Sequence, residues 1–261
     1  MHVFGVVNAT PDSFSDGGRH NEVPEAVDHA LRLVRHGADV IDVGGESTRP
    51  GAVPIGPNEE QRRVMPIIER LVAHNIPVSI DTMHSQTAGA ALRAGARFVN
   101  DVSGGQADPL MIPTVIDADV DYIAMHWGGG ANATPPSGSA TGGVIASLRS
   151  TVRYLVSAGM RAERIIVDPG LGFGKSNQQN WELIGSLKSL CEIGPRVLVG
   201  HSRKRFIGSL LPNGTQPADR DVASAGISIL CAAAGVWGVR VHDPEVTRRV
   251  LAATGIVMFD G

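Results

Sequence analysis

A chain of 261 residues, 43% hydrophobic and 19% charged, can bury the core of one α/β barrel or of two small domains, and a single domain over residues 1–261 is the expectation. A formal net charge of -3 with no block of like charges gives no footprint for nucleic acid or an anionic membrane, which leaves small-molecule chemistry. No apolar run reaches the ~20 residues of a membrane span and no basic leader precedes the first strand pattern, so a cytoplasmic protein is expected.

Eight short apolar runs alternate with eight helical patterns. Strands are predicted at residues 3–7, 40–43, 78–80, 98–99, 122–125, 165–167, 197–199 and 239–241. Helices are predicted at 23–36, 58–74, 85–94, 109–118, 143–158, 178–190, 220–234 and 244–253. Gly37, Gly95, Gly159 and Gly235 read as helix stops just before the next strand. Eight βα units of this kind predict a (β/α)8 TIM barrel. The irregular stretch 128–142, rich in Gly, Ala, Ser, Thr and Pro, reads as a loop after strand five.

In such a barrel the C-terminal ends of the strands carry the active site. Here every strand ends in polar side chains: Asn8; Asp42 with Glu46; Asp81; Asn100 with Asp101; His126; Asp168; His201 with Ser202; and His242 with Asp243. A single Asn or Asp in that place is usually a turn or helix cap, and some of these are expected to be caps. The most telling stretch is R-I-I-V-D-P-G-L-G-F-G-K, residues 164–175. Its β-branched run stops at a carboxylate, followed by glycines that let the backbone approach a flat or anionic ligand.

Asp168, Asp81 and Asn100 converge from strands six, three and four. Carboxylates facing N–H edges, with an amide for a mixed edge, suit an aminopyrimidine-type ring. Lys204 follows strand seven, and Arg240 within strand eight and His242 just after it lie in the region where barrels often hold phosphate. Arg203 and Arg205 flank Lys204 as a basic run of the kind that commonly points to solvent. Alternation along Val239, Arg240 and Val241 turns Arg240 either inward or outward, and a buried arginine needs a carboxylate, phosphate or aromatic face.

Two loops read as lids: the one from Asn8 that carries Phe14, and the one from Gly44 in which Pro50 restrains Arg49. Walker A, dinucleotide, zinc and Gly-x-Ser-x-Gly patterns are all missing. Cys191 and Cys231 lie in helical patterns and read as reduced packing residues. The three lysines, Lys175, Lys188 and Lys204, stand against twenty arginines, which makes each of them worth inspection.

The segments N-A-T-P-D-S-F-S-D-G-G, D-V-G-G-E-S-T-R-P-G-A, S-I-D-T, N-D-V-S-G-G, M-H-W, D-P-G-L-G-F-G-K, G-H-S-R-K and R-V-H-D together resemble the dihydropteroate synthase family. The resemblance covers essentially the whole chain, and Trp127 and Leu171 are similar to its actinobacterial branch. It implies condensation of 6-hydroxymethyl-7,8-dihydropterin diphosphate with 4-aminobenzoate, releasing diphosphate and giving 7,8-dihydropteroate. It implies a pterin pocket of Asp81, Asn100, Asp168, Lys204, Met125, Phe173 and Gly200, and a diphosphate site of Asn8, Arg240 and His242 with Asn8 as a Mg²⁺ ligand. The implied aminobenzoate site is Phe14, Ser47, Thr48, Arg49, Pro50, Phe173, Ser202 and Lys204. The residues expected to carry the chemistry are Lys204, Arg240, Asp168 and Arg49. Sulfonamide or sulfone inhibitors that mimic the amine and a homodimer are implied as well, the helix over residues 222–234 serving either as interface or as core. Other readings are a catalytically silent pterin-binding homologue, a methyltetrahydrofolate-dependent methyltransferase, and a Schiff-base aldolase using Lys204.

Overall fold

The β-branched runs form strands because helices cover one face and the barrel interior the other; all five residues of the second and fifth strands are buried. The computed structural model describes residues 1–10, 22–46, 53–128 and 140–255. Within them β1 (His2–Asn8), β2 (Val40–Gly44), β3 (Val78–Asp81), β4 (Phe98–Asp101), β5 (Asp121–Met125), β6 (Ile165–Asp168), β7 (Arg196–Gly200) and β8 (Gly238–Val241) pair in parallel, in chain order. β8 returns to β1 and closes the barrel, as the alternating pattern predicts. Phe14, Ser47, Thr48, Arg49 and Pro50, and most of the loop after strand five, lie outside the described residues.

The helices are α1 (Glu22–Arg35), α2 (Pro57–Ala73), α3 (Ser85–Arg93), α4 (Met111–Ala118), α5 (Ala140–Ser157), α6 (Asn177–Gly185), α7 (Leu187–Cys191), α8 (Arg205–Gly208), α9 (Asp221–Ala233) and α10 (Pro244–Ala253). The four glycine stops have positive φ. Two features differ from the sequence expectation. The helix expected over 178–190 is interrupted after Gly185, where Ser186 takes φ -113° and bonds back to Leu183, so the apolar periodicity runs through two helices rather than one. The four residues of α8 are too few to show a periodicity at all.

Register decides which side chains enter the barrel. Asp42 pairs with Ser79, Asp81 with Asn100, Met125 with Asp168, and Gly200 with Arg240, and paired residues on parallel neighbours share a face. One end of the interior is sealed by Phe4, Val40, Ile123, Ile166 and Leu198, with Phe98 and Trp237 packed against them. Phe4 meets Phe98 edge to face at 5.4 Å between ring centroids. Truncating the fully buried Phe4 to alanine is a change of the class that costs ~3–5 kcal/mol, so this layer anchors what lies above it.

Candidate active site

Above the apolar layer the interior turns polar. Arg240 points inward, which settles the alternation left open by sequence. Its Nη1 donates to Asp42 Oδ2 at 3.1 Å and to Asp81 Oδ2 at 3.4 Å. Asn100 Nδ2 donates to the same Asp42 oxygen at 3.1 Å, which leaves a second N–H and the carbonyl oxygen of Asn100 for a ligand. Burial works against the charge of Arg240, yet Asp42, Asp81 and Asp168 hold its guanidinium more firmly protonated than usual. Asp81 has the opposite problem: burial first, then the neighbouring charge of Asp42, pushes it up to about 7 despite Arg240. This pocket therefore holds more carboxylate than it can satisfy alone. A ligand offering N–H groups to Asp81 relieves the surplus.

Asp168 ends β6, is 1% exposed, and accepts a hydrogen bond from Gly170 N at 2.7 Å through Oδ1. That bond starts the glycine loop and aims the carboxylate. Gly170 has φ +66°, and a Cβ there would collide with the His126 carbonyl oxygen, so glycine is required on both counts. The β5 and β6 ends consequently lie backbone against backbone. Met125 and Phe173 pack with Val102 to give an apolar wall, with Trp127 alongside.

Lys204 caps α8, donates to the Leu171 carbonyl oxygen, and places its ammonium 4.6 Å from the centre of the Phe173 ring. Burial lowers it to about 7, against the pull of Asp168. Gly200 forms the floor between these groups. A Cβ there would lie 3.2 Å from Arg240 Nη2 and 3.4 Å from Asp168 Oδ2, so its missing side chain is the space into which the cation and the carboxylate both reach. At the β7 and β8 ends, Ser202 Oγ accepts from His242 N at 3.2 Å and lies 3.1 Å from His242 Nδ1. Asn8 ends β1 beside Gly44, on the same register row as Asp81 two strands away.

Several polar strand ends serve the scaffold instead. Asp101 accepts from Tyr122 Oη at 2.8 Å, Ser103 N at 2.8 Å and Gly105 N at 2.9 Å, holding the turn after β4. His201 is fully buried, with Nε2 2.9 Å from the Ser224 carbonyl oxygen, and burial lowers it to about 4. Asp243 caps α10 through Val246 N at 3.0 Å, and Glu46 accepts from Ile55 N at 3.0 Å. Arg203 is bound by Asp221 through two 2.7 Å hydrogen bonds and takes no part in the pocket. Sequence reasoning noted Asp42 but gave it no role, although a carboxylate within the buried run V-I-D-V-G was a signal. With one oxygen on Arg240 and Asn100, its Oδ1 is buried without a hydrogen-bond partner among the described residues.

A parallel barrel whose strand ends gather carboxylates and an amide beside two cations defines an enzyme that takes a flat nitrogen heterocycle together with an anion. The family described as pterin binding enzyme matches residues 4–242. The dihydropteroate synthase of Mycobacterium leprae is 44% identical over 269 aligned positions, covering 100% of this chain and 95% of the relative. The solved dihydropteroate synthase of Xanthomonas albilineans with 4-aminobenzoic acid has a TM-score of 0.92 at 43% identity, covering 97% of this chain and 92% of that one. That of Anaplasma phagocytophilum with bound 6-hydroxymethylpterin-monophosphate has a TM-score of 0.89 at 36% identity, covering 98% and 99%. The chain belongs to the dihydropteroate synthase family of pterin-binding enzymes.

Proposed function

We infer that this chain joins 6-hydroxymethyl-7,8-dihydropterin diphosphate to 4-aminobenzoate, releasing diphosphate and forming 7,8-dihydropteroate. The observation that carries the reading is the gathering of Asp42, Asp81 and Asn100 about Arg240, with the Asp168 carboxylate across the Gly200 floor and Lys204 at the Phe173 ring. Asp168, Asp81 and Asn100 take the hydrogen-bonding edge of the pterin, with Met125 and Phe173 against its faces. Arg240 and His242 receive the diphosphate together with Asn8. Arg240 reaches it already held by Asp42 and Asp81, so little reorganisation is needed as charge develops on the leaving group.

The exocyclic C–O bond breaks, its electron pair leaves with the diphosphate, and the ring carries the electron-poor carbon while the Asp168 carboxylate stabilises it. The amine nitrogen of aminobenzoate then forms the new C–N bond and gives up a proton to the released diphosphate. Phe173, Ser202 and Lys204, together with the loop residues Phe14, Ser47, Thr48, Arg49 and Pro50, hold the aminobenzoate and keep water from the cation. Mg²⁺ fits the donor chemistry at Asn8, because this ion binds phosphates with few protein ligands and an amide oxygen is one it accepts. Bound there with the diphosphate, it would supply charge neutralisation on the leaving group.

The reading extends to one domain over residues 1–261 acting in the cytoplasm as a homodimer. Among the described residues no helix is long and apolar enough to cross a membrane, and α9 exposes Val222 and Leu230 for a partner copy. A coupled assay of diphosphate release, with and without 4-aminobenzoate, tests the function. Amine-dependent release with dihydropteroate formed is the expected result; release indifferent to the amine overturns it.

A further inference from the structure

Lys175 lies just beyond the glycine loop, half-buried, and is absent from the pocket described above. Its ammonium has three N–H donors, and three acceptors meet them: the Gly170 carbonyl oxygen at 2.8 Å, the Phe173 carbonyl oxygen at 2.9 Å, and His126 Nδ1 at 3.1 Å. The first two belong to the loop after β6 and the third to the tip of β5. Asn180 on α6 secures the same loop from the other side: its Oδ1 accepts from Gly172 N at 2.6 Å and its Nδ2 donates to the Ser176 carbonyl oxygen at 2.7 Å.

This loop presents the Leu171 carbonyl oxygen and the Phe173 ring to Lys204. The β5 tip presents Met125. Three groups of the pocket therefore sit on the two segments that the Lys175 ammonium joins. The titratable groups facing it are His126, Asp168 and Lys204. Burial lowers Lys175 to about 8, and burial together with Lys175 lowers His126 to about 4, so at neutral pH the ring is an uncharged acceptor and the lysine a donor. With Nδ1 accepting, the His126 proton sits on Nε2.

We propose that Lys175 is a positioning residue for the pterin and aminobenzoate subsites: its ammonium ties the loop after β6 to the tip of β5 and so fixes Phe173, Leu171 and, through them, Lys204. The proposal rests on the pterin reading of the pocket. The diphosphate groups sit at the end of β1, on β8 and just after it, on other strands than this tie, which gives the test its contrast.

In Lys175→Met, calorimetry should show 6-hydroxymethylpterin bound about tenfold more weakly or worse, and the KM for 4-aminobenzoate should rise by about as much. Binding of inorganic diphosphate should stay within about twofold, whereas a general loss of structure weakens all three. Lys175→Arg should recover part of the pterin affinity, since it restores a buried donor with its charge. Nitrogen NMR of wild-type His126 should show the proton on Nε2 alone. Pterin affinity within about twofold of wild type in folded Lys175→Met overturns the proposal, and so does a wild-type His126 protonated at Nδ1, a measurement that needs no variant to fold. A wild-type protein that binds no pterin, with His126 nonetheless in the Nε2 tautomer, overturns the functional reading while leaving the tie itself in place.

Discussion

Asp168→Asn separates the charge of the ring-reading carboxylate from its shape. Oδ1 of Asp168 accepts from Gly170 N at 2.7 Å, so an asparagine keeps that bond only with its carbonyl oxygen in the same place. Its NH2 then replaces Oδ2, the atom turned toward the Gly200 floor, and ring N–H groups meet a donor. One lost charge-assisted hydrogen bond and one ring N–H left against a donor, at about 1.5 kcal/mol each, make ~3 kcal/mol, roughly a hundredfold in Kd. Turning the amide over spares the ring but sets NH2 against the Gly170 N–H, at a cost of about 1–3 kcal/mol for a buried unsatisfied donor. A loss of roughly tenfold therefore survives the best compromise. Calorimetry with 6-hydroxymethylpterin reads the affinity, and thermal unfolding checks that the barrel is intact. A Kd within about threefold of wild type, with Tm unchanged, refutes the assignment of Asp168 to the ring edge.

Gly200→Ala places a methyl 3.2 Å from Arg240 Nη2, so kcat/KM should fall by about tenfold or more; unchanged kinetics would place Arg240 outside the site. His201 sits at about 4 in the folded chain against an ordinary value of 6.5. The unfolded chain thus binds the extra proton first, and stability present above pH 6.5 is lost as pH falls toward 4, by about 2 kcal/mol between pH 6.5 and 5. Urea unfolding of His201→Asn at both pH values should show a slope shallower by that amount, and an equal slope discards the account. If Arg49 and Pro50 close only over a loaded pterin site, 4-aminobenzoate should bind measurably only with pterin and diphosphate present, and Arg49→Ala should raise its KM more than it weakens pterin binding. Equal affinity with and without them counts against an ordered lid.

The strands and the glycine stops were legible because they rest on local signals: β-branched runs, and φ > 0 after a helix. The rim was legible for a different reason, since a polar residue ending an apolar strand has few places to go in a barrel. What sequence left open was partnership. Arg240 could face either way until Asp42, 198 positions earlier, was seen to receive it. Asp101 and Asp168 look alike in sequence, both following apolar strands, yet one is consumed by Tyr122 and its own turn while the other is aimed into the pocket. Lys175 was marked by the scarcity of lysine, and no periodicity could have paired it with His126. The interruption at Ser186 escaped notice because the apolar stripe continues across it.

The contact between Asp42 and Arg240 also dictates when the pocket comes into being. At the roughly 5–20 residues per second of synthesis, the 198 positions between them take about 10–40 s to emerge. Over that interval the nascent chain gains Asp81 and then Asp168 beside Asp42 with no Arg240 yet to neutralise them, and β1 has no β8 to cover its edge. Three carboxylates facing one another in an open half-barrel favour a wet, loosely joined interior and disfavour early collapse around them. Closure of the ring is then tied to arrival of the guanidinium, so a chain truncated before β8 forfeits the anion site and the means of drying its own centre at the same stroke.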